Sequence, residues 1–272
     1  MKPANADLDF DHLAAQFDRF LPKIEPVTTA ILAHLPALAD GATVLDVACG
    51  TGEPGLTLAR RSPKLQLVGV DQGEALIGVA RGKAAREGLA NARFSVMPMT
   101  TLTLPDASVD AVVSRFGLLM FGDVEAAAEE LARVLRPGAP YSIAVWDAPA
   151  ENRLMNALFT VLAPHLPADH RSPMEAIAAW AAEGRRARLL EGLGLGPVHS
   201  EMFAWEYRFE TFDEAWALVS SMGKFTGQAD LGADAQEAVR QALVAALAEY
   251  RKEDGQYVIP HACRLLWGQR AR

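Results

Sequence analysis

Cysteine is scarce in this sequence of 272 residues, which contains only Cys49 and Cys263. Two cysteines cannot form a four-cysteine metal site, and their sparing use is typical of a reducing compartment. The N-terminus carries acidic residues where a secretory signal would carry basic residues and an apolar run. We therefore expect a cytoplasmic protein without a metal centre.

Basic residues are outnumbered, with 26 Lys and Arg against 34 Asp and Glu, which gives a formal charge of −8. Phosphate backbones are held chiefly by basic residues, so we expect no nucleic-acid partner. No stretch approaches the roughly 20 consecutive apolar residues that span a bilayer, so we expect no membrane partner either. Composition leaves the oligomeric state open.

Short apolar runs alternate with helical stretches from residue 43 onward. Helices are predicted over 54–61, 74–88 and 123–135. The strands are predicted at TVLDV, LQLVGV, ARFSV, DAVVS and YSIAVW. Alternation of this kind predicts an α/β fold in which a mostly parallel sheet is covered by helices on both faces.

The alternation is lost after residue 146. Helices are predicted near 151–164, 173–183, 185–192, 212–223 and 233–252. Two late strands, near 198–209 and 256–267, are expected to add an antiparallel edge to the sheet. The helices around them are either a lid over the site or plain structural packing.

The N-terminal segment 9–40 reads as two helices. Leu13, Phe17 and Phe20 share a face of the first, while the second has an apolar stripe formed by Val27, Ile31, Leu35 and Leu38. Pro22 and Pro26 are expected to break the path between them. The predicted organisation is a helical cover over 1–40, a binding core over 41–150, a helical lid over 151–196, and last core strands over 197–272 with a helical insertion at 211–255.

A glycine-rich segment, residues 50–55, follows the first predicted strand and matches the G-x-G-x-x-G pattern of dinucleotide-binding enzymes. An NAD-dependent oxidoreductase is therefore one interpretation. Pro54 argues against it, because it has no amide hydrogen to offer a pyrophosphate at the start of the next helix. Asp46 also argues against it, since its carboxylate would repel the phosphates. A cationic ligand suits this glycine-rich segment, which we call the bend, better than a pyrophosphate does.

Four motifs in order resemble those of class I S-adenosylmethionine (SAM)-dependent methyltransferases, in the branch of the ubiquinone/menaquinone C-methyltransferases. They are VLDVACGTG at 44–52, VGVD at 68–71, LTLPDASVD at 102–110 and LARVLRPG at 131–138. The resemblance implies a seven-stranded, doubly wound, Rossmann-like sheet and SAM as the cofactor.

Carried over residue by residue, the resemblance implies where SAM is held. The backbone of Ala48, Cys49, Gly50 and Gly52 is expected to pass under the methionine portion and ribose. Asp46 would organise this bend and hold the ammonium group, directly or through water. Asp71 would accept both ribose hydroxyls, although it could instead merely cap the helix at 74–88.

The adenine end departs from the family pattern. Gln72 would flank the adenine, but Pro98 and Met99 stand where an acid and an alanine are common. Pro98 cannot replace the carboxylate, so Thr100 or a carbonyl would have to substitute, while Met99 could still meet the ring. At the methionine end, Ser114 and Arg115 are expected to contact SAM through their backbones. The ring of Phe116 is expected to form a wall of the pocket.

No catalytic residue is identified from the sequence. A general base helps only if the acceptor must lose a proton. The candidates are His12, Asp18, Asp147 and His165, each of which could equally be a surface or capping residue. An aromatic set could line an apolar acceptor pocket or simply pack the core; it comprises Phe10, Phe17, Phe20, Trp146, Phe159 and Trp180.

The sequence therefore predicts a SAM-dependent methyltransferase that acts on a small molecule by in-line displacement. Two alternatives stay open at this point. One is a SAM-binding protein without transferase activity, and the other is an NAD-dependent oxidoreductase.

Overall fold

The computed structural model describes residues 18–120, 122–167, 173–181 and 184–272. Seven strands form a single sheet within these ranges. The strands are β1 (Thr43–Val47), β2 (Gln66–Asp71), β3 (Ala92–Val96), β4 (Ala111–Arg115), β5 (Pro140–Trp146), β6 (His199–Phe209) and β7 (Tyr257–Gln269).

The strand order is β3-β2-β1-β4-β5-β7-β6. The first five strands are parallel, with Val44 of β1 in register with Leu67 of β2 and with Ala111 of β4. Strand β7 runs antiparallel to both β5 and β6, so that it alone is reversed. The predicted seven-stranded, mostly parallel sheet with an antiparallel edge is confirmed.

Ten α-helices lie within the described residues. They are α1 (Glu25–Ala33), α2 (Gly55–Arg61), α3 (Glu74–Arg86), α4 (Val124–Val134), α5 (Arg153–Leu162), α6 (Pro173–Ala181), α7 (Arg185–Gly192), α8 (Phe212–Ser221), α9 (Gly223–Thr226) and α10 (Ala233–Ala246). Helices α2 to α4 connect the parallel strands. Helices α5 to α7 precede β6, and α8 to α10 separate β6 from β7, where the sequence predicts its extra helices.

The N-terminal helices differ from the prediction in one respect. Helix α1 ends at Ala33, so Leu35 and Leu38, which are predicted in the second helix, lie beyond its observed end. Pro26 lies in the first turn of α1, and the segment Leu21–Ile24 before it is a 3-10 helix. The helical path is therefore interrupted near Pro22 and Pro26, as expected, and Pro26 is tolerated at the start of α1 because a proline in the first helical turn removes an amide that would have no partner in the helix.

The buried strands explain why the central sheet forms. Val44, Leu45 and Val47 of β1 are almost fully buried, as are the three residues Ala111, Val112 and Val113 of β4. Continuous burial is expected for parallel strands covered on both faces. Within the described ranges, no helix is long and apolar enough to cross a membrane.

Candidate functional site

The strand order reverses at β1, which lies between β2 and β4, so the chain builds the sheet outward in both directions from this strand. Such a switch point opens a crevice at the carboxyl ends of the strands, and open α/β sheets bind ligands there. The glycine-rich bend follows β1, Asp71 ends β2, and Ser114 and Arg115 end β4. The topology thus brings the residues predicted from three separate motifs to one edge.

The bend after β1 has a left-handed backbone at alternate positions. The φ angles of Ala48, Gly50 and Gly52 are 55°, 54° and 108°. Only glycine adopts φ near 108° without strain, and a Cβ on Gly52 would lie 2.6 Å from the Leu56 side chain. The bend therefore presents backbone rather than side chains to the crevice.

Asp71 links the end of β2 to this bend. Its Oδ2 accepts a hydrogen bond from the Gly50 amide at 2.9 Å, and its Oδ1 accepts one from the Gly73 amide at 2.9 Å. Gly73, not Asp71, is the cap residue of α3. The alternative role of Asp71 as the cap residue of α3 is therefore wrong, and each oxygen of a carboxylate has the capacity for more than one hydrogen bond.

Asp46 is fully buried under the bend. Its Oδ2 accepts a hydrogen bond from the Gly55 amide at 2.8 Å, while its Oδ1 has no hydrogen-bond partner among the described residues. Burial raises the pKa of this carboxyl to about 8. An unpaired acceptor of this kind is costly in isolation, and a cationic ligand at the bend would compensate it.

The first turn of α2 offers no pyrophosphate site. Pro54 carries no amide hydrogen, the Gly55 amide binds Asp46, and the Leu56 amide donates to the Gly52 carbonyl at 2.7 Å. The Thr57 amide donates to Glu53 Oε2 at 3.0 Å. Because each amide of this turn already has a protein acceptor, the helix start cannot bind phosphate in the manner of dinucleotide enzymes.

The other residues predicted at the adenine end differ in their exposure. Gln72 and Pro98 are exposed, whereas Met99 is half-buried and packs against the core. The Pro98 carbonyl accepts a hydrogen bond from the Thr101 amide. Cys49 is buried, and burial raises the pKa of its thiol further, so the thiol is unreactive.

Ser114 and Arg115 have different surroundings. Ser114 Oγ donates to the Val47 carbonyl at 2.7 Å and accepts from the Leu118 amide at 3.1 Å, which joins β1 to the loop after β4. The Arg115 guanidinium turns toward α1, where Nη1 donates to Thr28 Oγ1. Burial lowers the pKa of Arg115 to about 10, so the group is still charged at neutral pH.

The general-base candidates are dispersed. Asp18 accepts from Thr51 Oγ1 at 2.7 Å and pairs with Lys83 Nζ at 2.6 Å, which ties the N-terminal segment to the bend. Asp147 Oδ2 lies 2.6 Å from Arg264 Nη2, an ion pair whose angles are poor for a hydrogen bond.

Of the remaining two candidates, only His165 lies among the described residues. His165 is exposed at the end of a 3-10 helix, and His12 lies outside the described residues. No described group of three or more His, Cys, Asp or Glu side chains could hold a metal ion.

The aromatic residues predicted to line an acceptor pocket are also dispersed. Phe10 and Phe17 lie outside the described ranges. Trp146 stacks on Phe116, with ring centroids 3.7 Å apart and planes at 2°, and Phe20 packs edge-on against Tyr207. Phe159 is buried in α5, and Trp180 lies under the Arg185 guanidinium. The stacked pair stands at the ends of β4 and β5, beside the bend.

Sequence reasoning missed three residues next to this pair. Trp205 stacks near Trp146 at 5.9 Å, and Tyr207 stacks on His261 with ring centroids 3.8 Å apart. They belong to β6 and β7, where Trp205 is paired directly with His261. The alternating pattern of β6 signals which residues face inward, but not which strand they meet.

Residues 44–138 match the model of a family described as a methyltransferase domain. A demethylmenaquinone methyltransferase of Thermus thermophilus is 42% identical over 95 residues, covering 35% of this chain and 43% of that protein. A demethylmenaquinone methyltransferase of Deinococcus radiodurans is 36% identical over 135 residues, covering 50% of this chain and 53% of that protein.

The fold is shared with solved methyltransferases. A geranyl diphosphate C-methyltransferase from Streptomyces coelicolor, solved with Mg²⁺, geranyl diphosphate and S-adenosyl-L-homocysteine, aligns with a TM-score of 0.54 at 15% identity. The alignment covers 91% of this chain and 79% of that one.

The chain spans about half the length of the two curated relatives. The resemblance to class I methyltransferases, in the ubiquinone/menaquinone branch, is confirmed over the segment that carries the four motifs.

Proposed function

We propose that this chain binds SAM and transfers its methyl group to a small molecule. The observation that carries the proposal is the connection between Asp71 and the Gly50 amide, which sets a carboxylate against a bend of bare backbone at the switch point of the sheet. The family match over residues 44–138 supports it. So does the S-adenosyl-L-homocysteine bound by the structurally similar Streptomyces coelicolor enzyme.

The donors and acceptors at this edge fit SAM. Asp71 would receive the two ribose hydroxyls, a task for which a carboxylate has enough lone pairs. The unpaired Oδ1 of Asp46 suits the ammonium group, while the backbone of Ala48, Cys49, Gly50 and Gly52 would lie under the methionine portion and ribose. Gln72, Pro98 and Met99 would border the adenine, and Ser114 and Arg115 the methionine end.

SAM would supply a methyl group that its sulfonium already activates. The protein's own tasks are then to align the acceptor and to exclude water, and these can supply much of the rate enhancement. The stacked rings of Phe116 and Trp146 provide a flat apolar wall beside the bend for the acceptor. Asp18, bound to Thr51 and Lys83, would help to shield the bend from water.

The organisation follows the same proposal. Residues 41–150 would bind the cofactor, while 1–40, 151–196 and the insertion 211–255 would cover the acceptor. Both cysteines are free, which supports a reducing, cytoplasmic setting. The acidic charge supports a small acceptor rather than nucleic acid.

Label transfer tests the proposal. The protein is incubated with methyl-labelled SAM and a small-molecule extract, with Asp71→Ala as the matched control. We expect label in an extracted compound with the unaltered protein and much less with the control. Binding of SAM without transfer to any compound would support the alternative, a SAM-binding protein without transferase activity.

A further inference from the structure

The loop that follows β4 holds two large apolar residues in left-handed backbone conformations. The φ angles of Phe116 and Leu119 are 61° and 64°, and both residues are buried. Such conformations are uncommon and costly for residues with bulky side chains. They persist only where the surrounding structure holds them, and they cluster at functional sites. We call residues 116–120 the β4 loop.

The β4 loop touches both parts of the proposed site. Phe116 stacks on Trp146 and belongs to the wall proposed for the acceptor. Gly117 lies against Ala48, just before the bend, so closely that a Cβ on Gly117 would clash with the Cβ of Ala48. A change in the conformation of this loop would therefore move the proposed acceptor wall and disturb its contact with Ala48.

Arg186 of α7 reaches this loop from a distant part of the chain. Its Nε donates a hydrogen bond to the Leu119 carbonyl at 3.2 Å, and the residue is only 3% exposed. Burial lowers the pKa of Arg186 to about 10, so the guanidinium is charged at neutral pH. A charged donor makes a stronger hydrogen bond than a neutral one. The bond acts on the carbonyl of a residue whose own backbone is strained.

Packing alone does not account for a buried arginine at this position. Nη2 of Arg186 has no hydrogen-bond partner among the described residues, which adds to the cost of burying the group. Asp147, at the end of β5, offsets part of this cost, although its Oδ2 also lies 2.6 Å from Arg264 Nη2. A well-packed apolar side chain would fill the same space without the cost. The contact with Leu119 is what the arginine adds.

We propose that Arg186 is a positioning residue for methyl transfer, which holds the β4 loop in its left-handed conformation and so keeps Phe116 in place for the acceptor. The inference rests on the proposed function, in which residues 151–196 cover the acceptor. Helix α7 lies within that segment. The acceptor wall is then complete only while α7 is seated, because any displacement of α7 breaks the contact and releases the loop.

Amide hydrogen exchange, measured residue by residue on the full chain, tests the contact without an acceptor. The Phe116 amide donates to the Ala144 carbonyl and the Leu118 amide to Ser114 Oγ, so both exchange when the β4 loop opens. Arg186→Met keeps a long side chain but removes the charge and the donor. We expect it to speed exchange at these two amides roughly 10- to 100-fold, the loss expected for a hydrogen bond from a charged group.

Two references separate this effect from a loss of overall stability. The Gln66 amide donates to the Ala42 carbonyl near the amino ends of β1 and β2, and it should exchange as in the unaltered protein. Arg185→Met removes the same charge from the same helix, but Arg185 is exposed and its Nη1 donates to the Ala179 carbonyl. This control should leave the β4 loop unchanged.

Arg186→Lys keeps the charge and one donor but not the planar guanidinium, so its exchange at the β4 loop should lie between those of the unaltered protein and Arg186→Met. If Arg186→Met does not fold, Arg186→Lys decides alone, and unchanged exchange at the loop contradicts the inference. Equal acceleration at Gln66 and at the loop overturns it as well, because Arg186 would then have a purely structural role.

Kinetics with the acceptor found by label transfer test the positioning role. Arg186→Met should raise KM for that acceptor several-fold and lower S-adenosylhomocysteine affinity, measured by calorimetry, by a smaller factor. In a Phe116→Ala background, Arg186→Met should raise KM no further, because its effect passes through the Phe116 ring. Additive effects of the two substitutions would overturn the inference. A failure of the unaltered protein to bind S-adenosylhomocysteine counts against the proposed function, whereas unchanged loop exchange counts against the Arg186 contact alone.

Discussion

Asp71 Oδ2 accepts a hydrogen bond from the Gly50 amide at 2.9 Å, which joins the end of β2 to the bend after β1. The two residues are separated by a helix and a strand in the sequence, and parallel pairing of β1 with β2 brings them together. The contact fixes the carboxylate at the crevice edge. It also uses an amide of the bend that would otherwise be unsatisfied.

Asp71→Ala tests the role of this carboxylate in cofactor binding. We expect SAM affinity to fall by about 1.5–3 kcal/mol, as for hydrogen bonds that involve a charge. Calorimetry measures the change. Asp123→Ala, which removes the side-chain cap of α4, should lower stability by about 1 kcal/mol and leave SAM affinity unchanged. Equal affinities of Asp71→Ala and the unaltered protein would remove Asp71 from the site.

Asp46 makes stability depend on pH in a defined direction. Burial raises its pKa from 3.8 to about 8, so the folded protein retains a proton that the unfolded chain releases between these values. The free energy of unfolding should therefore fall as pH rises through this window, by up to about 1.4 kcal/mol per pH unit. Denaturant titrations of the unaltered protein and of Asp46→Asn measure it. The free energy of unfolding of the unaltered protein minus that of Asp46→Asn should fall with rising pH, and a constant difference would contradict the assignment.

Ser114 joins β1 to the loop after β4 through two buried hydrogen bonds. Ser114→Ala should lower the free energy of unfolding by about 1–3 kcal/mol, because the Val47 carbonyl and the Leu118 amide lose their partner. Ser142→Ala is the matched control, since its buried hydroxyl makes no hydrogen bond within the described residues. Similar losses in the two variants would show that the hydrogen bonds of Ser114 contribute little.

Trp146 is expected to bind the acceptor rather than the cofactor. Its stacking on Phe116 provides a wall, and such ring contacts contribute about 0.5–1.5 kcal/mol. Trp146→Ala should raise KM for the acceptor found by label transfer several-fold while SAM affinity stays within twofold or so. Trp267→Ala, which removes a tryptophan stacked on His34 near the other end of the same sheet, should change neither. An equal loss of acceptor and SAM affinity in Trp146→Ala would assign Trp146 a purely structural role.

The central sheet and the bend could be predicted from the sequence because their signals are local. The run at 44–47 is apolar except for Asp46, and a buried carboxylate just before a glycine bend is conspicuous. The break near Pro22 and Pro26 could also be predicted, although Pro26 lies in the first turn of α1, where proline is tolerated, and not in a helix interior, where it breaks the helix. Only the context of a helix start separates the two cases.

The contact between Tyr207 and His261 could not be predicted, because these residues meet only through long-range strand pairing. Tyr207 and His261 look like inward-facing residues of two separate alternating strands. Their contact depends on the register that pairs Trp205 with His261 and places β7 next to β5. A one-residue change of register would turn these side chains to the opposite face, and nothing local in the sequence fixes that register.

Calorimetry with SAM and with NADH in parallel is the most direct test of the account. The bend, Asp46 and Asp71 should bind SAM and its demethylated product, whereas the fully occupied amides at the start of α2 should leave NADH unbound. Saturable SAM binding that is weakened by Asp71→Ala is the predicted result. Binding of NADH in place of SAM would contradict the account.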